Sequence, residues 1–232
     1  MLLEFYAQLL YNLSYKRTFK EEIEREKGKS IMSNVIDIKD VQWDKKLNIH
    51  TTGRVDGHAD EYHYPYEPTP YSVLVRLVRS GYVNRGNKIV DYGCGKGRVS
   101  FFLSHEIGCE TVGIEYDKKL YLQAEKNRKR FKKAGKVQMI CQDAAKYEVE
   151  DADCFYFFNP FSIEVFHSVM ERILDSYYEE PRPMLLFFYY PNEEYVSYLM
   201  TAYDLMFVDE IDCGDLFDGE NERERILIFE VG

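Results

Sequence analysis

The sequence has no apolar run long enough to cross a membrane as a helix, so no membrane partner is expected. It contains no Cys-x-x-Cys, and its cysteines are odd in number: Cys94, Cys109, Cys141, Cys154 and Cys213. That argues against a disulfide framework and reads as buried, reduced thiols in a cytoplasmic protein. His50, His58 and His63 match no zinc spacing, and no metal site is expected. Positive charge is in deficit, with a net charge of −10 and a pI near 5.1. Tight non-specific nucleic-acid binding is therefore disfavoured, although a local basic patch stays open. The opening residues Met1-Leu2-Leu3-Glu4-Phe5 place an acid inside the apolar stretch, with no cleavage site after it, which argues against a signal peptide. No internal repeat, low-complexity tract or serine-nucleophile elbow occurs.

What is present fits one large α/β domain with an appendage in 232 residues. Twenty Tyr and fifteen Phe suit a packed domain with aromatic pockets. The chain is organised around Lys88-Ile89-Val90-Asp91-Tyr92-Gly93-Cys94-Gly95-Lys96-Gly97-Arg98-Val99: a buried strand, a glycine turn and a helix start. Glycines at 93, 95 and 97 allow a tight turn and close approach of a ligand. Amides at the helix start favour an acceptor or anion. The dinucleotide fingerprint fails because Arg98 stands where its third glycine belongs, and Gly95-Lys96-Gly97 is not a P-loop. A plain glycine turn, or another nucleotide binder, remains the alternative.

Alternating segments continue to the end of the chain. Strands are expected at Glu110–Glu115, Lys136–Cys141, Asp153–Phe158, Met184–Tyr189, about Leu205–Asp212 and Arg225–Val231. Helices are expected at about Asp117–Ala134, Ile163–Tyr178 with Ser162 as cap, and Asn192–Tyr203. Such alternation implies a parallel sheet with right-handed crossovers. Ahead of it, residues 1–27 read as one or two helices. Residues 30–58 lose the helical period and read as a hairpin or irregular cap, with domain limits at 1–60 and 61–232. The proline-rich, aromatic stretch Tyr62–Tyr71 is a candidate lid or a packed loop, with Thr69 capping a helix from Pro70 to about Gly81.

Ligands sit at the carboxyl ends of strands in such sheets. Glu115 ends the second strand, where a carboxylate accepts from a ribose diol, and Tyr116 can flank an adenine. Asp143 ends the third strand and can accept from the adenine amino group, with the Ala144 amide facing a ring nitrogen. Each acid alone could equally be a turn or capping residue. Three at successive strand ends behind this turn are harder to dismiss.

From about residue 60 the chain resembles class I S-adenosylmethionine (SAM)-dependent methyltransferases, on Val90 to Val99, Gly113-Ile114-Glu115, Gln142-Asp143-Ala144 and Asn159-Pro160-Phe161. The stretch Tyr66-Glu67-Pro68-Thr69-Pro70, with Gly97-Arg98-Val99, is similar to seven-strand protein-lysine methyltransferases, including the disruptor-of-telomeric-silencing type. Uncharacterised bacterial methyltransferases also carry an Asn-Pro-Phe fourth motif. The resemblance implies a Rossmann-like, doubly wound, seven-stranded, mostly parallel sheet closed by a C-terminal hairpin, with an N-terminal helical or hairpin extension. It implies SAM as cofactor, held by Tyr66, Thr69, Asp91, Tyr92, Gly93, Cys94, Gly95, Gly97, Arg98, Glu115, Tyr116, Asp143, Ala144 and Asn159.

Asn159, Pro160 and Phe161 resemble, one proline short, the Asn-Pro-Pro-Tyr/Phe of amino-directed DNA methyltransferases. There the Asn oxygen and Pro carbonyl accept from the target amine. The three are therefore the catalytic candidates, against the alternative that they merely end a strand. The acceptor expected is a protein amine, a nucleobase or a small molecule. An oxygen acceptor, or a non-catalytic SAM sensor or scaffold, are the rival functions.

Overall fold

The computed structural model describes residues 38–55, 64–132 and 134–232. The expected helices of residues 1–27 lie outside them. Six α-helices and seven strands are described: α1 Ile38–Leu47, α2 Tyr71–Ser80, β1 Lys88–Tyr92, α3 Arg98–Glu106, β2 Glu110–Glu115, α4 Lys118–Arg130, β3 Val137–Cys141, β4 Cys154–Phe157, α5 Ile163–Glu179, β5 Leu185–Tyr189, α6 Glu193–Thr201, β6 Leu205–Asp212 and β7 Arg225–Val231. The sheet order is β3-β2-β1-β4-β5-β7-β6. β1 to β5 pair in parallel, and β7 runs antiparallel between β5 and β6. This is the Rossmann-like seven-strand sheet with its terminal hairpin.

Successive side chains on a strand face opposite ways, and a sheet covered on both faces must be apolar at both. Ile89, Tyr156, Phe187 and Ile228 accordingly join one core with Leu74, Phe102 and Ala124 of α2, α3 and α4. Val90, Tyr92, Phe157 and Phe188 join the other, with Phe166 and Ile173 of α5 and Tyr195 of α6. The sheet order reverses between β1 and β4, and a crevice opens there at the carboxyl ends.

Three local expectations change. Residues 38–47 form a helix where the sequence reads as irregular. Its apolar period is weak because the acids Asp40 and Asp44 share the inward side with Trp43 and Leu47: the buried Asp44 carboxylate accepts from Thr51 N (2.5 Å), Thr51 Oγ1 (2.6 Å), Thr52 N (3.1 Å) and Tyr71 Oη (2.7 Å). Thr69 does not cap α2. Pro70 occupies the cap position, and the Thr69 hydroxyl instead meets Tyr156 Oη at 3.1 Å. Ser162 occupies the α5 cap position but makes no side-chain cap bond. No described helix is long and apolar enough to cross a membrane.

Candidate active site

The glycine turn leaves β1 in a shape that only glycine takes easily. Gly93 has φ 69° and Gly95 φ 56°. A Cβ on Gly93 would lie 2.3 Å from Pro160 Cβ, and one on Gly95 would lie 2.1 Å from the Tyr66 ring. The turn is thus packed on one side by the end of β4 and on the other by the segment Tyr64–Thr69. Glu115 ties it down: Oε2 accepts from Gly95 N (2.8 Å) and Oε1 from Asp117 N (2.7 Å).

Around the turn lies a pocket with an empty volume of about 930 Å³, its open mouth included. Of the sequence-derived candidates, Tyr66, Thr69, Asp91, Tyr92, Gly93, Cys94, Arg98, Glu115, Tyr116, Ala144, Asn159, Pro160 and Phe161 line it. Gly95, Gly97 and Asp143 do not. Gly97 is the N-cap of α3. Asp143 accepts from Ala145 N (3.1 Å) and pairs with Lys146 Nζ (3.3 Å). Asp117, Leu120, Tyr156 and Phe158 also line the pocket and are not among the sequence-derived candidates, while Tyr64 of the candidate lid and Gln142 of the third motif join them. Tyr156 is the penultimate residue of β4, near the carboxyl end where ligands sit in such sheets, and that position is the signal for it.

The side chains differ in freedom. Asp91 is buried and accepts from Ser100 Oγ at 2.9 Å. Burial pushes its carboxyl up to about 7, Ser100 opposes that, and the Glu115 charge adds to it. The proton on Asp91 therefore favours the fold at low pH, and that contribution disappears as pH climbs from near 4 to 7. Arg98 is fully buried: Nε donates to Thr51 Oγ1 (2.8 Å), Nη1 to Asp40 and to Thr69 O (3.1 Å), and the guanidinium lies 4.4 Å from the Tyr71 ring centre. Lys96 donates to Thr52 O (3.1 Å) and Gly53 O (3.3 Å) and sits 4.7 Å above the Tyr66 ring. Burial lowers its pKa. Tyr66 closes the arrangement by donating to Thr51 O (2.7 Å) and pairing its backbone with Val55. Residues 51–55 and 64–69 thus form a strap bound to the turn by its own two cations.

Asn159 follows β4 at φ 40°. Its Nδ2 donates to Tyr190 O (2.6 Å) and its Oδ1 accepts from Asn192 N (3.1 Å). Pro160 O receives only a long 3.5 Å contact from Tyr64 N among the described hydrogen bonds. Phe161 is buried edge-on to Tyr92, ring centres 6.5 Å apart.

The chemistry of this cradle fits SAM. A buried carboxyl, Asp91 on β1, and the Glu115 carboxylate at the end of β2 both line the pocket beside the glycine turn.

The comparisons agree. Residues 89–183 match a family model described as a methyltransferase domain. The fold is similar to a putative rRNA-methylase from Clostridium thermocellum, at 14% identity over 72% of this chain and 97% of that one, TM-score 0.52. It is similar to a protein of the NADB-Rossmann superfamily from Streptococcus agalactiae, at 17% identity over 72% and 70%, TM-score 0.52. An RNA methyltransferase from Salinibacter ruber, in complex with S-adenosyl-L-homocysteine, aligns at 21% identity over 71% and 92%, TM-score 0.47. No curated protein matches the sequence. The family model spans less than half of the chain, and the solved structures show a shared Rossmann-like fold.

Proposed function

We propose that the domain methylates an amine nitrogen, with protein lysine ahead of nucleobases. The observation that carries this is the Asn159-Pro160 pair in the pocket wall, pressed against Gly93. In this reading Asp91 takes the ammonium of SAM, the turn amides its carboxylate and Glu115 the ribose diol. Tyr116 and Ala144 flank the adenine, while Asp143, outside the pocket wall, shapes the turn that carries Ala144. SAM supplies an electrophilic methyl on a sulfonium. The protein's part is to orient the amine, through the Asn159 and Pro160 oxygens, and to exclude water with Tyr64, Tyr66 and Phe161. An ammonium acceptor must first lose its proton.

The charge around Tyr64 supports a cationic acceptor. After burial, the charges of Glu194 and then Glu164 raise the phenol of Tyr64, a pocket-lining residue, so the field there is negative. A net charge of −10 favours encounter with a basic protein. Five free thiols support a reducing, cytoplasmic setting.

Asn159→Ala is expected to lower turnover about 10- to 100-fold while leaving SAM affinity unchanged. Tritiated SAM, offered with pools of peptides, RNA, DNA and metabolite extracts, reads both the acceptor and the loss. Equal turnover in the variant would remove Asn159 from the acceptor role. One observation favours a second reading: both amide atoms of Asn159 already have internal partners. If Asn159 only shapes the wall, the acceptor is an oxygen or a small molecule, and only the metabolite pool labels. Tight SAM binding with no labelled pool is the outcome for a sensor or scaffold.

The raised Asp91 gives a pH test. Its ionised form is the one that pairs with the SAM ammonium, so S-adenosylhomocysteine should bind more tightly as pH rises from 6 to 8, releasing a proton at the lower end. Calorimetry in buffers of different ionisation enthalpy measures the release. Asp91→Asn should bind weakly at every pH with no such slope, and a retained slope would assign the proton elsewhere.

A further inference from the structure

Two non-glycine residues at the ends of adjacent parallel strands hold left-handed backbones: Asn159 (φ 40°) after β4 and Tyr190 (φ 51°) after β5. An aromatic residue rarely adopts this conformation, and such strain persists only where surroundings enforce it. Here the enforcement is visible. The Tyr190 carbonyl accepts from Asn159 Nδ2 at 2.6 Å. The same oxygen takes a longer contact from Arg223 Nη2 at 3.4 Å. Arg223 Nε reaches Pro191 O at 3.3 Å, and its guanidinium lies 4.2 Å from the Tyr190 ring centre. Tyr190 N donates to Arg225 O (3.0 Å), and Asn221 Nδ2 donates to the Tyr190 hydroxyl (3.1 Å). The loop entering β7 therefore grips Tyr190 by carbonyl, amide, ring and hydroxyl, and Tyr190 grips Asn159.

We infer that Arg223 and Tyr190 are positioning residues of the methyl-acceptor site: the β6–β7 loop sets the seat of Asn159 through the Tyr190 carbonyl. Any catalytic consequence rests on the amine-acceptor reading above. The physical reason is that Asn159 Nδ2 can orient its amide only while the Tyr190 carbonyl stays turned toward it. That carbonyl direction belongs to the left-handed conformer, which the planar guanidinium holds from the far side by stacking and by hydrogen bonding together. A loop remote in sequence from the cofactor turn thus reaches the acceptor wall.

Nitrogen-15 spectra of the full chain read the seat without needing an acceptor. The Asn159 side-chain amide pair is assigned by its loss in Asn159→Ala. In Arg223→Ala this pair and the Tyr190 amide are expected to move, while the Gly95 amide stays in place and S-adenosylhomocysteine affinity holds within about twofold. An unmoved Asn159 pair overturns the inference. Arg223→Lys keeps the charge but loses the fork, so the same movement is expected, and it serves if the alanine variant does not fold. Turnover of tritiated SAM on the labelled pool should fall about tenfold in Arg223→Ala. The Asn159→Ala, Arg223→Ala double variant should be no slower than Asn159→Ala alone. Additive losses overturn the inference and leave the role of Asn159 intact. Full turnover in Asn159→Ala defeats the amine-acceptor reading instead, and the spectra still decide whether the loop holds the seat.

Discussion

Replacing Arg98 with alanine is expected to destabilise the protein by about 3–5 kcal/mol, because it strips a buried ion pair of one partner. The Asp40 carboxylate, whose side chain is 16% exposed, would keep its burial and lose its cation. Thr51 Oγ1 and Thr69 O lose a donor in the same step, and the Tyr71 ring loses its stacked guanidinium. For a chain of this size the melting temperature should drop by roughly 10 °C, measurable by calorimetry. Arg98→Lys should recover little, since one ammonium cannot reach a hydroxyl, a carbonyl and a carboxylate while lying flat on a ring. A fall below about 1 kcal/mol would show that the strap does not depend on the Arg98 ion pair.

Gly95→Ala should act on ligand rather than on fold. Its new methyl would stand 2.1 Å from Tyr66 carbons, and φ 56° already strains any residue with a Cβ. Tyr66 must leave, or the turn must open and withdraw the Gly95 amide from Glu115. Affinity for S-adenosylhomocysteine is expected to fall at least ~100-fold, equivalent to two lost hydrogen bonds at about 1.5 kcal/mol each. Calorimetry on Gly95→Ala and on the Gly95→Ala, Tyr66→Ala pair separates the causes. Partial recovery in the pair assigns the loss to the collision, and no recovery assigns it to the backbone. Unchanged affinity in the single variant would place the ligand away from this turn.

Most of the sheet was legible in the residues. Strand spacing, the glycine turn and the acids at strand ends are written locally, and β2, β6 and β7 fall where alternation puts them. α1 was not legible, because the carboxylates of Asp40 and Asp44 interrupt the inward side that Trp43 and Leu47 share. Pairings made across the fold left no periodic trace either. Thr69 looks like a helix cap in sequence, yet its hydroxyl meets Tyr156 from another element, 87 positions away. Asn159 shows the same limit: its motif was visible, but its engagement with Tyr190 and Asn192 depends on β5 lying alongside β4.

Lys96 has a chemical consequence of its own. Its amine is wedged between the carbonyls of residues 52 and 53 and roofed by an aromatic ring. Acylating reagents that modify surface lysines within minutes should pass it over while the strap is down. Once the strap lifts, the amine loses that burial and becomes open to the reagent like any surface lysine. Mass-spectrometric labelling of this one position therefore gives a clock for strap opening, readable before any acceptor is known.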